Sequence, residues 1–498
     1  MKSPKGADMG NYSVPAEIRS QKPKGTMVKR IGGDKFYVYE YSTTKVQVEN
    51  GDGTIRWKTK TNMGRCIGTI TIENGYIPND TQINNDEITA KNFGDYAFVV
   101  DNARHTYHLL KETFNPKDAA QIFTVACIFF VNGFTYMKNV KGLYDLSYLS
   151  LCFADVNVGY KALHTLYESL GTRQTKPKAF EQMMLGKSSG RVAIDGHVIA
   201  CTSEMNDLSE FGYKAAKLGT EQINWLTAYD VVSKMPLLSQ VYSGADPDKI
   251  SVKALFERYR FERTEFLVDR GFNTAPDKEL MSRNGNTYIV PMLSNRKDYN
   301  YVLANLKIDK RRYFIYNKNN YASMVYYQEF NKGDIRYLAF QDTTRAGAER
   351  QDYIKAMNAG KPGYSEKGIL ENEAYFGLFL LETNNPELSP EDVFCHYKER
   401  WTIETYYNYI RNDVDFNALY QQDYFCMQGL SFIVTVTGMI YHDIKAVADK
   451  AKLKVKDILN ETGKIKMVYE GNKWLIRNNI KSVRKVCEKT NFSVPKYI

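Results

Sequence analysis

Along the chain, apolar positions first follow a period of two. Phe36-Tyr37-Val38-Tyr39-Glu40-Tyr41 and Thr54-Ile55-Arg56-Trp57 flank Glu49-Asn50-Gly51-Asp52-Gly53. Asn-Gly and Asp-Gly readily supply the positive φ of a tight turn, so the pattern predicts a hairpin with cationic residues on one strand. From Phe93 to about Leu170 the period becomes helical and Pro and Gly grow sparse, which predicts a helical packing unit. In Arg191 to Cys201 apolar residues alternate around Asp195-Gly196, as in a buried strand that bends and returns as a second strand. Met235 to Tyr242 predicts a third strand. An amphipathic helix follows, bearing Val252, Leu255, Phe256 and Tyr259, with Asp246 as its N-cap and Pro247 at its first position. Thr264 to Asp269 then predicts a fourth strand ending in a carboxylate, completing a β-β-β-α-β order. Beyond Met292 the chain is rich in tyrosine and short β runs (Arg312–Tyr316, Met324–Tyr327, Arg336–Phe340), which predicts an inserted β-rich subdomain. A strand over Tyr375–Leu381 precedes Ser389-Pro390-Glu391-Asp392, a strong helix start, and one helix is expected from Val393 to Arg411.

Length and charge add domains and a partner class. The 498 residues, 43% hydrophobic and 25% charged, exceed one ordinary domain and are too apolar for a disordered chain. Four regions are expected: a basic arm and hairpin over 1–90, a helical domain over 91–185, an α/β domain over 186–443 with its insertion at about 293–372, and a basic, helical C-terminal tail over 444–498. The formal net charge is +10. The last region carries 14 Lys and Arg against 5 Asp and Glu, with Lys450, Lys452, Lys454 and Lys456 alternating and Lys481, Arg484, Lys485 and Lys489 near helical spacing. Such a surplus suits a polyanion such as DNA, although a solvated helix face produces the same pattern. Seven scattered cysteines without a CxxC pair argue against disulfides or a zinc knuckle, and no two of the six histidines stand at HxxxH spacing. Any metal must therefore be held mostly by oxygen. The N-terminus lacks an apolar leader pattern, and the runs Ala119–Val131 and Leu430–Tyr441 are shorter than the ~20 residues that span a bilayer. Both are expected as buried core helices of a cytoplasmic protein with no membrane partner.

Candidate chemistry lies on acids. On one helix, Tyr397, Arg400, Glu404 and Arg411 return to an arc of roughly 60°. That face is either a surface ion-pair ladder or a carboxylate aimed at a divalent ion beside guanidinium groups that hold phosphate. Asp195, Asp269 and Glu404 would together supply the oxygen donors that two Mg²⁺ ions need while leaving positions open for water and substrate.

The series Tyr397-x2-Arg400-x3-Glu404-x6-Arg411 resembles the Y-x2-R-x3-E-x6-K signature of DDE transposases of the bacterial "IS-four" insertion-sequence group, with Arg411 standing in place of the family's lysine. Asp195 in Ala-Ile-Asp-Gly and Asp269 in Val-Asp-Arg-Gly-Phe look like the first two acids of the triad, 74 residues apart, and 135 more residues lead to Glu404. The resemblance covers about 190–441. It implies an RNase H-like core with a β-rich insertion before the last catalytic helix, and Asp195, Asp269 and Glu404 as catalytic residues and ligands of two Mg²⁺, with Mn²⁺ as a substitute. It also implies DNA contacts from Arg270, Tyr397, Arg400 and Arg411, and a homodimer acting on terminal inverted repeats and target DNA in a bacterial, nucleoid-associated setting. Some members stack a flipped base on a tryptophan of the insertion; Trp57, Trp225, Trp401 and Trp474 all lie outside it. A nuclease that cuts without joining, and a DNA-binding descendant with silent chemistry, remain alternatives.

Overall fold

A computed structural model describes residues 14–32, 35–49, 55–79, 89–201, 206–210, 221–245, 248–294, 296–318, 320–416 and 421–498. The chain forms two compact units, Met1–Thr89 and Ala90–Ile498.

In the first unit, a short helix Ala16–Ser20 precedes β1 (Thr26–Gly32), β2 (Lys35–Glu49), β3 (Ile55–Thr71) and β4 (Gly75–Pro78), an antiparallel sheet in that order. Its core is small: Ile18, Phe36, Val38 and Ile70. The expected hairpin is the β2–β3 pair, and its strands run much further than the alternation indicated; the turn residues 50–54 lie outside the described residues.

The second unit opens with β5 (Ala90–Asn92) and helices from Gly94–Asn102 to Lys176–Gly186. Pro116–Asn132 is the most buried of these; Asn115 caps it by accepting from the Asp118 N–H, and Pro116 sits where a missing N–H costs nothing. Then come β6 (Arg191–Cys201), β7 (Glu221–Asp230), β8 (Met235–Ser243), a helix Asp248–Arg258, β9 (Glu265–Val268) and β10 (Thr287–Pro291), in the expected β-β-β-α-β order with one more strand. β11 (Tyr313–Lys318), β12 (Tyr321–Lys332), β13 (Ile335–Asp342) and β14 (Leu378–Thr383) complete one nine-stranded sheet in the order β11-β12-β13-β14-β10-β9-β6-β7-β8. β6, β9 and β10 are mutually parallel and the other pairs antiparallel. The tyrosine-rich strands thus extend the central sheet through β14.

The 28-residue helix Tyr424–Ala451 crosses β8 and the helices Tyr160–Gly171 and Pro116–Asn132. Its approach is close: a Cβ at Gly429 would stand 1.8 Å from the Tyr167 carbonyl oxygen, and one at Gly171 would stand 1.7 Å from that of Phe425. Inside this crossing Arg173 pairs with Glu181 and donates to the carbonyls of Ser239 and Gln428, each at 2.8 Å.

Several expectations need correction. Asp195-Gly196 makes no bend: Gly196 pairs with Leu226 within an unbroken β6, and the return strand is β7. The helix expected over 393–411 is two helices, Pro390–Glu399 and Thr402–Asn412. Across the joint the N–H groups of Arg400, Trp401, Ile403 and Glu404 bond three residues back, and the Thr402 hydroxyl takes the Glu399 carbonyl at 2.8 Å, competing with the regular ladder. The C-terminal region is not wholly helical. Between the helices Val455–Thr462 and Lys481–Thr490, β15 (Lys466–Glu470) and β16 (Lys473–Arg477) form a hairpin, and β15 also pairs with β5. Gly471 and Asn472, at φ +59° and +63°, make its two-residue turn. The helix Tyr424–Ala451 is long and apolar enough by length and composition to cross a membrane, unlike the shorter run expected, and 83% of its most apolar window is buried inside the protein. Asp246 and Pro247 lie outside the described residues.

Candidate active site

Parallel pairing of β6 with β9 builds the centre of the site. Ile194 stands opposite Val268, so Asp195 and Asp269 follow from adjacent strands at one level, about 4.8 Å apart in backbone. β9 ends at Val268 while β6 continues beside β7, which leaves a notch at the aspartates. Asp269 caps a short 3₁₀ turn, accepting from the Arg270 N–H at 2.7 Å, and Asp195 accepts from the Gly196 N–H at 3.0 Å.

The helix Thr402–Asn412 carries Glu404 to this notch. Its buried face holds Tyr406 stacked on Tyr229 and Tyr407 stacked on His197, with ring centroids 5.4 and 5.1 Å apart. Tyr407 also donates its hydroxyl to the Asp195 backbone carbonyl at 2.7 Å, fixing the helix to the strand at the very residue that bears the first acid. Gly438 lets the long helix close over Tyr406, since a Cβ there would lie 2.6 Å from the ring.

Arg400, at the joint, is the site's cation. Its guanidinium donates to Glu404 Oε1 at 3.0 Å, stands 3.7 Å from Asp195 Oδ2, and lies 6.0 Å from the centre of the Tyr397 ring. Burial pushes the Asp195 carboxyl up to about 6; Arg400 opposes that rise, and the Asp269 and Glu404 carboxylates add to it. Burial likewise pushes the Tyr397 phenol up to about 12, against the pull of Arg400. Three acids and one guanidinium leave the notch with more negative than positive charge.

The structure therefore brings together Asp195, Asp269, Glu404, Arg400 and Tyr397. Arg270 is exposed beside Asp269. Arg411 lies on the Glu404 face of the same helix, two turns or about 10 Å further on, and donates to Asn408 Oδ1 at 3.1 Å. The donor chemistry suits a hard divalent cation, and Arg400 stands in as the positive charge. Among the described residues, however, no group of three acidic, histidine or cysteine side chains is already arranged around an ion position.

Two sets of residues had no obvious signal in the sequence. Tyr407 sits in a run of tyrosines whose composition reads as core. Arg191, Glu265, His396 and Glu399 are scattered along the chain, yet they form one network beside the site. Arg191 bonds Glu399 at 2.5 Å and His396 at 2.6 Å, His396 meets Glu265 at 2.7 Å, and Lys318 meets Glu399 at 3.1 Å. The network ties Pro390–Glu399 to β6, β9 and β11, and so sets where Arg400 emerges. At the other end of that helix, the expected start at Ser389 is closed by a capping box between Ser389 and Asp392.

Residues 186–420 match the family of the transposase DDE domain. The match spans all seven predicted site residues and supports a transposase-type function, with DNA as the substrate class the family implies. DDE transposases generally use divalent metal ions, in keeping with an all-oxygen donor set. No curated protein matches the chain.

Proposed function

We propose that this chain is the transposase of a bacterial insertion sequence of the IS-four-like group. It would bind the terminal inverted repeats as a homodimer in the cytoplasm, cleave the element ends and join the 3′-OH ends to target DNA. The observation that carries the proposal is the emergence of Asp195 and Asp269 side by side from parallel strands, with Glu404 carried over them by a helix, inside the region that matches a transposase DDE domain. The strand order β8-β7-β6-β9-β10, with β6, β9 and β10 parallel, supports an RNase H-like core.

In this proposal Asp195, Asp269 and Glu404 hold two Mg²⁺, or Mn²⁺ in their place. Bound there, the ions would activate a water or a 3′-hydroxyl for in-line attack at phosphorus and stabilise the leaving oxygen. Arg400 exchanges its carboxylate partners for phosphate oxygens, for which its planar fork of donors is suited. Tyr397 and Arg400 contact DNA next to the scissile phosphate, Arg270 from the flank beside Asp269, and Arg411 two helical turns along.

Asp195→Asn, Asp269→Asn and Glu404→Gln should each reduce Mg²⁺-dependent cleavage at least 1,000-fold, on the order of what loss of a key transition-state contact costs, while DNA binding persists. Cleavage near the wild-type rate by any of the three contradicts the assignment. Supplying pre-cleaved ends separates a transposase from a nuclease: efficient nicking without end joining favours the nuclease.

A further inference from the structure

We propose that the β2–β3 ribbon of the first unit is a DNA-gripping arm that binds double-stranded DNA through Lys45, Lys58, Lys60 and Trp57. From Tyr41–Met63 to Glu49–Ile55 nine residue pairs join β2 to β3, while the pairing with β1 ends at Glu40 and that with β4 begins at Gly68. The ribbon is therefore two strands wide for roughly 27 Å. An isolated two-stranded hairpin is marginal in water, because neither face buries an apolar layer. Here the small core stops at Phe36, Val38 and Ile70, and Tyr41 to Lys45 and Trp57 to Thr61 are exposed.

The charge on this ribbon is mostly of one sign. Its nine pairs carry Lys45, Arg56, Lys58 and Lys60 against a single acid, Glu49, at the last pair. Register puts Lys58 opposite Val46 and Lys60 opposite Thr44, on one face; Trp57 opposite Gln47, Lys45 opposite Thr59 and Met63 opposite Tyr41 occupy the other. Among the described residues Lys45, Lys58 and Lys60 make no ion pair.

Lysines also protect edge strands from unwanted pairing. Protection alone does not account for Trp57, Met63 and Tyr41, which are 63%, 51% and 42% exposed on the opposite face. A large exposed indole beside cations suits a nucleic-acid surface, and the B-DNA major groove, about 12 Å wide, admits a two-stranded ribbon. Thr43, Thr44, Thr59 and Thr61 add hydroxyl donors to a strand-forming sequence.

The test uses the full-length protein in EDTA, with fluorescein-labelled random-sequence duplex DNA read by anisotropy across a salt series. K58Q/K60Q should weaken binding and flatten the plot of log affinity against log salt by about 1.8, the value for two lost phosphate contacts. W57F should abolish part of the tryptophan quenching seen on DNA addition. Circular dichroism matching wild type, expected at exposed positions, accompanies both; the milder K60Q alone should flatten the slope by about 0.9. An unchanged slope in folded K58Q/K60Q, or ribbon-dependent binding tighter to single-stranded RNA than to duplex DNA, overturns the proposal. Asp195→Asn should retain the wild-type slope. Ribbon-dependent binding by a protein that never cuts DNA would refute the catalytic proposal and leave this one standing.

Discussion

Asp195 concentrates the electrostatic cost of the site. Its carboxyl titrates near 6 instead of 3.8, chiefly through burial and despite Arg400. The folded state thus holds this proton to higher pH than the unfolded chain does. Stability from this group is greatest below about pH 4, falls as pH rises toward 6, and stays reduced above it. Asp195→Asn keeps an oxygen for the Gly196 N–H and removes the charge. It should stabilise the metal-free protein at pH 7.5 by up to about 3 kcal/mol, with the gain vanishing below pH 4. Urea denaturation at the two pH values checks this; equal stability at pH 7.5 would show that the carboxylate carries no such cost. The acids and Arg400 were legible because their spacing and their strand or helix settings could be read directly. Arg191, Glu265, His396 and Glu399 were not, because their only common property is proximity in the folded sheet.

Helices and strands explain how those side chains are held. The Ser389–Asp392 start was visible from the chemistry of the free N–H groups at a helix end, and it forms as expected. The break at Arg400–Trp401 was invisible to periodicity, which counts about 100° per residue and cannot see a threonine hydroxyl claiming a backbone carbonyl. The β15–β16 hairpin was readable in principle: the short apolar runs Met467-Val468-Tyr469 and Trp474-Leu475-Ile476 flank the turn residues Gly471-Asn472, whereas lysine content carries no such signal. Within the site the helix Thr402–Asn412 depends on Tyr407. Tyr407→Phe leaves the ring stacking and removes the hydrogen bond to the Asp195 carbonyl. It should cost about 1–2 kcal/mol in urea denaturation and lower cleavage by loosening Glu404 relative to Asp195. Full activity with unchanged stability would mean that the bond does not position the helix.

At the scale of the whole chain, β6, β9 and β10 supply a parallel centre, and antiparallel strands extend it on both sides. The strands that became β6, β8 and β9 and the helix before β9 could be read from alternation and turn residues, whereas β7 and β10 were missed and the union of the tyrosine-rich strands with the central sheet depends on long-range pairing. The C-terminal segment also enters the main core: Ile458, Ile465, Met467, Val483 and Val486 are buried with the helices near the start of the unit. Its Lys481, Arg484, Lys485 and Lys489 face outward from one helix. Charge counting detects that outer face and misses the inner one. The central claim is that Asp195, Asp269 and Glu404 make free 3′-OH ends on DNA. The most direct measurement incubates the full-length protein and Asp269→Asn with DNA that flanks its own gene, in Mg²⁺ and in EDTA, and maps every new 3′-OH end to the nucleotide. Ends at the element boundaries, made only by the wild-type protein and only with Mg²⁺, are predicted; equal cutting by Asp269→Asn, or no ends from wild-type protein that binds this DNA, would contradict it.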